Sequence, residues 1–404
     1  WLSISAISGP AAAYFRTAEI QPTMLALALS PLCGGFENIG TVDFRKYLHF
    51  RRDTIFVLAK KLGTFLFAIP LAVWWRNHWA LVVGMLAGRV IGLVLSYVLS
   101  PYRPRFCLER FREMLHFSKW MLAANVMTFF RLRTVEIWTG RVHGADAVGI
   151  YNMSFELASL PNSELVMPIN RALFPGFSQV SQDLERLRTG FIKALGLLTL
   201  LSTPASVGLA LVADVAVPIL LGYSWLATIP VIKVLAVAGI PMALQINNWS
   251  VMLAIRRPDL WVQISIVHVA TLLCAIYFLS PLVGALGGAW AQLIAGLVSL
   301  PISYATINRL VGLSLPAILG AIWRPLVAAT AMYFAVSPLS LGAQAASLPV
   351  PALAANLVAM IVSGAATYGA ALLVLWLFAG RPDSAEKMVL QFLRERFAAL
   401  RAVR

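Results

Sequence analysis

Charged side chains are scarce in this sequence. Asp, Glu, Lys and Arg make up 12% of its 404 residues, against roughly 25% in soluble domains. Two stretches, 260–308 and 325–380, contain none of them, and each is long enough for two helices of the about 20 residues that a bilayer requires. The composition therefore excludes an ordinary soluble domain and predicts an all-α, polytopic helical membrane protein.

Cysteine is also rare, and the signatures of common enzymes are missing. The three cysteines, Cys33, Cys107 and Cys274, are widely spaced, which excludes a disulfide framework and a zinc-binding pattern. The sequence has no H-E-x-x-H, Walker A, G-x-S-x-G or C-x-x-C motif. No predicted outer loop is long enough to form a catalytic domain, which argues against an enzyme that acts on lipid-linked precursors of the envelope. We therefore expect no enzymatic activity, no cofactor and no metal.

Basic residues outnumber acidic ones, and the formal net charge is +15. They gather in every second loop between the apolar segments, as in RKYLHFRR (45–52) and PYRPRFCLERFR (101–112). The intervening loops hold only Arg16, Arg76 and Arg141. This distribution is the positive-inside pattern of membrane proteins. It places the C-terminus in the cytoplasm and explains the positive charge without a nucleic-acid partner.

The apolar segments predict about twelve membrane spans. Their approximate ranges are 1–15, 22–36, 54–74, 79–99, 117–138, 148–169, 190–212, 225–253, 260–279, 284–307, 317–336 and 351–378. The chain starts inside an apolar segment and without Met, so we expect further sequence before it. At the other end, Val389, Leu393, Phe397 and Leu400 recur at helical spacing beside basic residues. This tail fits an amphipathic helix on the inner leaflet or, as an open alternative, a solvated end of the chain.

Ionisable side chains inside the spans are the main functional signal that the residues themselves provide. Arg89 lies at the midpoint of a span, where a cation costs roughly 2.5–3.5 kcal/mol, so we expect it to face a cavity or a partner. Arg131, Arg133 and Glu136 form a second group, and at their spacing all three cannot share one helix face. Arg133 and Glu136 therefore either pair with each other or line a cavity.

The span at 148–169 carries acidic and amide side chains in an apolar setting. Glu156 and Glu164 are eight residues apart, roughly 80° around an ideal helix, so both can face a cavity. Either is a candidate to couple transport to a proton or ion gradient, and a structural hydrogen-bonding role is the alternative for Glu164. Asn162 in this span and Asn247 in a later one are candidate contacts for a polar substrate.

Seven segments match one family in order along the chain. They are RKYLHFRRDTIFVLAKK, NHWALVVGMLAGR, GRVHGADAVGIYN, ASLPNSELVMPINRALFPGFSQV, LLGYSW, IPVIKVLAVAGI and GALGGAW. Together they resemble the bacterial polysaccharide transporter family, the flippases for O-antigen and exopolysaccharide repeat units, which are related to multidrug and toxin extrusion transporters. The resemblance implies two six-helix bundles around a central cavity and two extra C-terminal helices, with the first two helices missing from this chain.

On this resemblance the chain divides into five parts. They are an incomplete first transmembrane bundle (1–99), a cytoplasmic linker (100–116), a second transmembrane bundle (117–309), an extra C-terminal helix pair (310–380) and a basic amphipathic cytoplasmic tail (381–404).

The function that the resemblance implies is a flippase for a polyprenyl-diphosphate-linked oligosaccharide in the bacterial inner membrane. In that role Arg89, Arg131 and Arg133 would attract the diphosphate. Asn162 and Asn247 would contact the substrate, and the three glutamates, at 136, 156 and 164, would couple transport to an ion gradient. Expected partners are the lipid-linked oligosaccharide, membrane lipids, and the polymerase and chain-length proteins of polysaccharide assembly. The alternative is an ion-coupled exporter of cationic drugs. Basic side chains outnumber acidic ones within the spans, which favours the anionic lipid over a cationic drug as the substrate.

Overall fold

The protein is helical throughout its described part. The computed structural model describes residues 2–15, 17–46, 49–104, 111–180, 183–342, 349–382, 384–389 and 391. The α-helices are α1 (Leu2–Phe15), α2 (Ile20–Leu27), α3 (Leu29–Gly35), α4 (Val42–Lys46), α5 (Phe50–Trp75), α6 (Trp79–Leu99), α7 (Phe111–Val142), α8 (Gly144–Leu160), α9 (Met167–Gln179), α10 (Leu184–Leu220), α11 (Ile229–Ala254), α12 (Pro258–Val283), α13 (Ala285–Val311), α14 (Leu315–Val336) and α15 (Val350–Phe378). No β-strand occurs among these residues, which confirms the all-α prediction.

Helices α5, α6 and α10 to α15 are long and apolar enough to cross a membrane. They coincide with eight of the predicted spans, so the chain is a multi-pass membrane protein. The other predicted spans fall on helices that are shorter, broken or more polar. Helix α1 has 14 residues, α2 and α3 are shorter still, α7 carries several charged residues, and α8 and α9 are separated by a π-helical turn. The count of twelve spans therefore stays a prediction.

The helices form two compact units, Trp1–Glu113 and Met114–Arg404. The boundary falls within 100–116, the segment that we predicted as a linker, and residues 105–110 of that segment lie outside the described part of the chain. The roles assigned to the five parts of the chain remain predictions.

In the first unit, α5 and α6 pack tightly because α6 carries small residues at the contact. A Cβ atom on Gly84 would lie 2.5 Å from the Cβ of Ala68, and one on Gly88 would lie 2.9 Å from the backbone oxygen of Lys60. Glycine at these positions lets the two backbones approach, as is typical of helix pairs in membranes. Lys60 also forms an ion pair with Glu37 at 3.1 Å.

Helix α10 is the central helix of the second unit. It packs against α11, α14 and α15, and α11 in turn packs against α8, α9 and α13. Leu187, Phe191 and Leu195 of α10 are fully buried and share a core with Tyr304 and Ile307 of α13. Leu244, Val251 and Met252 of α11 belong to the same core, which holds α11 in place.

The chain reverses direction after α15. Gly380 and Arg381 adopt left-handed backbone conformations, with φ of 78° and 57°. Residues 385–389 are helical, and Glu386 among them forms an ion pair of 3.3 Å with the buried Arg324 of α14. Of the predicted amphipathic tail, residues 392–404 lie outside the described part of the chain.

Candidate functional site

A cavity of about 420 Å³ lies within the second unit, between α7, the break from α8 to α9, and α11. Its volume is in the range of sites that bind small molecules or parts of larger ligands. It is lined by Thr128, Arg131, Leu132, Phe155, Ala158, Ser159, Asn162, Ser163, Met167, Leu235, Ala238, Gly239, Met242, Gln245, Ile246, Trp261 and Gln292. Two of the predicted substrate-binding residues, Arg131 and Asn162, are therefore brought together here.

Arg131 is a buried cation, with 8% of its surface exposed. Its guanidinium lies over the ring of Trp261, 5.0 Å from the centroid, and its Nη2 donates a long hydrogen bond of 3.5 Å to Oε1 of Gln245. Nη1 has no hydrogen-bond partner among the described residues, and no carboxylate of that part of the chain pairs with the guanidinium. A buried charge without a counter-ion is costly, so a bound anion would stabilise this side chain.

Gln245 is held in one orientation by groups on α13. Its Nε2 lies 3.3 Å from the backbone oxygen of Gly296 and 3.1 Å from Oγ of Ser299, and it donates to both. The carboxamide oxygen is therefore the end that faces Arg131. Ser299 also contacts Nδ1 of His268 at 3.1 Å, so His268 is a buried packing residue in a hydrogen-bonded group.

Asn162 reaches the cavity because the helix changes form between α8 and α9. Pro161–Val166 is a π-helical turn, a wider turn that is frequent at functional sites. Nδ2 of Asn162 donates a 3.0 Å hydrogen bond to the backbone oxygen of Gly239, while its Oδ1 is buried with no partner among the described residues. Two residues that line the cavity thus carry polar atoms with no hydrogen-bond partner among the described residues, a donor on Arg131 and an acceptor on Asn162.

The other two candidates on α7 pair with each other. Nη1 of Arg133 donates to the two carboxylate oxygens of Glu136 at 2.6 and 2.7 Å. Arg133 is exposed, and neither residue is among those that line the cavity. Of the two alternatives that the sequence left open, the mutual pair is the one present in the structure. An ion-coupling role for Glu136 stays a prediction.

The remaining candidates lie outside this cavity. Glu156 and Glu164 are exposed, and Asn247 is buried in the helical core, where its Nδ2 donates a 3.3 Å hydrogen bond to the backbone oxygen of Phe191. Arg89 is exposed on α6, in the first unit. Their predicted roles in transport therefore remain predictions.

Sequence reasoning missed two cavity residues that surround Arg131. Gln245 had a usable signal, because with Asn247 it belongs to a polar run, Q-I-N-N, inside an apolar span. Trp261 had none, because a tryptophan near a helix end is common in membrane proteins. Its position over a guanidinium depends on how α7 and α12 are arranged in space.

The sequence analysis also did not predict an ion pair between α10 and α11. Asp214 of α10 is buried and lies 2.8 Å from Nζ of Lys233 on α11. A carboxylate in an apolar helix is a signal that sequence reading could have used. In the part of the chain that the structure describes, no three His, Cys, Asp or Glu side chains are placed to hold a metal ion.

Comparison with protein families identifies the chain. A family model described as polysaccharide biosynthesis protein matches residues 1–230, more than half of the chain. The chain belongs to this family. The family resemblance stated from the sequence is thereby confirmed.

Relatives of this chain match different shares of it. Lipopolysaccharide biosynthesis protein WzxC of Escherichia coli K12 is 26% identical over 286 residues, which are 70% of this chain and 58% of WzxC. Teichuronic acid biosynthesis protein TuaB of Bacillus subtilis 168 is 32% identical over 155 residues, or 38% of this chain and 32% of TuaB. Succinoglycan biosynthesis transport protein ExoT of Rhizobium meliloti 1021 is 27% identical over 194 residues, or 47% of this chain and 39% of ExoT. The chain thus spans about half the length of these relatives or less.

A solved structure shares the fold of this family member. The lipid II flippase MurJ, in an inward closed conformation, matches with a TM-score of 0.67 over 90% of this chain and 75% of that chain, at 11% sequence identity. At that identity the likeness shows the fold and nothing about the ligand. It confirms the prediction of a polytopic helical fold.

Proposed function

We propose that this protein is a flippase that moves a polyprenyl-diphosphate-linked oligosaccharide across the bacterial inner membrane for surface polysaccharide synthesis. The observation that carries the proposal is Arg131, a buried guanidinium in a cavity of a membrane-embedded unit, with no counter-ion among the residues that the structure describes. The names of the relatives support it, since WzxC is a lipopolysaccharide biosynthesis protein and ExoT a succinoglycan biosynthesis transport protein.

The chemistry of the cavity suits the diphosphate part of such a lipid. A guanidinium presents parallel N–H donors that match phosphate oxygens, and Nη1 of Arg131 has no hydrogen-bond partner among the described residues. Trp261 and Gln245 hold the guanidinium in place, so little side-chain freedom is lost when the anion binds. Oδ1 of Asn162 can accept a hydrogen bond from a sugar hydroxyl. These groups bind and orient a substrate, and we propose transport without catalysis.

A cation exporter would need the opposite charge in its cavity. Arg131 is the one ionisable side chain among the described residues that line the cavity, and the glutamates of α8 and of the π-helical turn are exposed elsewhere. The sign of the cavity therefore favours an anionic lipid over a cationic drug.

Transport would proceed by exposing this cavity alternately to the two sides of the membrane. We further propose that the C-terminus is cytoplasmic, because the basic loops lie on that side. The lipid-linked oligosaccharide is the substrate, and the polymerase and chain-length proteins that use the translocated unit are the proposed protein partners.

Replacing Arg131 tests the proposal. In a strain that lacks the gene, lipid-linked repeat units should accumulate on the cytoplasmic face, and the intact gene should relieve the accumulation. Arg131→Ala should lower transport by about ten- to a hundredfold, the range expected for the loss of a charged hydrogen bond of about 1.5–3 kcal/mol. Arg131→Lys keeps the charge and should retain part of the activity.

Lys119→Gln is the matched control, because Lys119 is an exposed cation on the same helix and outside the cavity. It should transport at close to the wild-type rate. Wild-type transport by Arg131→Ala would refute the role of this cavity. Drug sensitivity without accumulated glycolipid in the deletion strain would refute the flippase itself.

A further inference from the structure

A second cavity, of about 480 Å³, continues from the first toward the N-terminal part of α7. It is lined by Ala124, Asn125, Thr128, Met167, Asn170, Arg171, Ile246, Trp249, Ser250, Leu253 and Trp261. Four of these residues, Thr128, Met167, Ile246 and Trp261, also line the first cavity. The two cavities are therefore parts of one groove, and Trp261 lies where they meet.

Two tryptophans form one wall of the second cavity. The rings of Trp249 and Trp261 have centroids 5.4 Å apart and planes inclined by 49°. Both side chains are partly exposed, and both line the cavity. Flat aromatic faces of this kind provide apolar contact area with little loss of side-chain freedom, and they match the C–H faces of a pyranose ring.

Polar side chains lie across the same cavity. Asn125, Asn170, Arg171 and Ser250 contribute amide, guanidinium and hydroxyl groups to its lining. Oγ of Ser250 donates a 3.1 Å hydrogen bond to Oδ1 of Asn170, which is buried. This contact fixes the Asn170 carboxamide, whose Nδ2 is the end that is turned away from Ser250. Aromatic walls with a few fixed polar groups are the usual composition of a site that selects a small polar ligand.

We propose that this second cavity binds the first sugar of the lipid-linked oligosaccharide, the pyranose that is bonded to the diphosphate. The inference rests on the proposed function, in which Arg131 binds the diphosphate. In such a lipid the anomeric carbon of the first sugar is bonded directly to the phosphate, so the sites for sugar and phosphate must be neighbours. Trp261 meets this requirement, because it lies under the Arg131 guanidinium and beside Trp249.

Binding to two lipids separates the sugar site from the phosphate site. The purified full-length protein would be titrated with a polyprenyl diphosphate that carries one pyranose and with the same polyprenyl diphosphate without sugar. Trp249→Ala should weaken binding of the glycosylated lipid by about three- to tenfold, the range expected for the loss of one aromatic contact. It should leave the affinity for the lipid without sugar unchanged. Trp249→Phe, which keeps an aromatic face, should restore most of the loss.

Trp290→Ala is the matched control, because Trp290 is an exposed tryptophan of α13 that lines neither part of the groove. It should bind both lipids like the wild type. The proposal is overturned if Trp249→Ala weakens both lipids equally or neither, or if the wild type does not prefer the glycosylated lipid. Arg131→Ala should weaken both lipids. If it weakens neither, the phosphate site fails, whereas the sugar site is still judged by the Trp249 result.

Discussion

At the scale of residues, the charge of the cavity depends on Arg131 and on the neutral group that holds it. The carboxamide of Gln245 accepts from the guanidinium without neutralising it. Its orientation comes from the two acceptors on α13, Gly296 and Ser299. A neutral acceptor at this place keeps the positive charge available to an incoming anion.

Gln245→Glu should therefore weaken anion binding without unfolding the protein. The new carboxylate would lie where Oε1 now contacts Arg131, at 3.5 Å, and would form an ion pair with it. Affinity for a polyprenyl diphosphate should fall at least about tenfold, while thermal unfolding in detergent stays cooperative. Binding assays on the purified variant would measure the loss.

Gln245→Leu separates charge from shape in this experiment. It removes the acceptor but adds no charge, so its binding defect should be clearly smaller than that of Gln245→Glu. If the two variants bind the polyprenyl diphosphate equally weakly, the lack of charge on Gln245 is not what preserves anion binding.

At the scale of elements, small residues and breaks decide how the helices approach one another. Gly84 and Gly88 of α6 bring α5 into backbone contact. In the second unit, Gly239 has a similar role, because a Cβ there would lie 3.3 Å from Nδ2 of Asn162. Glycine residues therefore affect both how closely the helices pack and the shape of the cavity.

Gly88→Ala should destabilise the pair of α5 and α6. Its Cβ would lie against the side chain of Thr64 and 2.9 Å from the backbone oxygen of Lys60, so the helices must move apart. The expected cost is about 1–3 kcal/mol, as for other overpacked contacts, and a lower thermal midpoint in detergent would report it.

Gly369→Ala in α15 is the control for this prediction, because no atom lies within 4 Å of a Cβ at that position. There, alanine should be neutral or stabilise the helix by about 0.5–1 kcal/mol. If both variants lose the same stability, close packing at Gly88 is not the cause.

At the scale of the whole molecule, the distribution of basic loops predicts the orientation. A reporter fused after Arg404 should be active in the cytoplasm, and one inserted at Gly342, after α14, should be active outside the inner membrane. The reason is that basic loops stay on the cytoplasmic side during insertion. Fusions to alkaline phosphatase and to a fluorescent protein would measure both positions. The reverse pattern would contradict the proposed topology and would place the basic tail outside the cytoplasm.

The sequence by itself determined the class of the protein and most of its long helices. Long apolar segments with few charged residues are typical of membrane-spanning helices, so α5, α6 and α10 to α15 could be predicted directly. Pro161 and Pro168 interrupt the span at 148–169, and the structure has the π-helical turn Pro161–Val166 there. The ordered motifs likewise sufficed for the family. These features are local in the chain, which is why one sequence was enough to find them.

Only the tertiary structure decided which polar residues share a cavity. Arg131 and Arg133 are two residues apart on one helix, yet one lines the cavity and the other pairs with Glu136 outside it. The C-terminal tail gives a second example. Its Glu386 is buried and pairs with Arg324 of α14, and the spacing of residues in the tail does not predict this contact. A side chain's surroundings depend on the azimuth of its helix and on neighbours distant in the chain. Both are set by packing, so composition and spacing do not contain them.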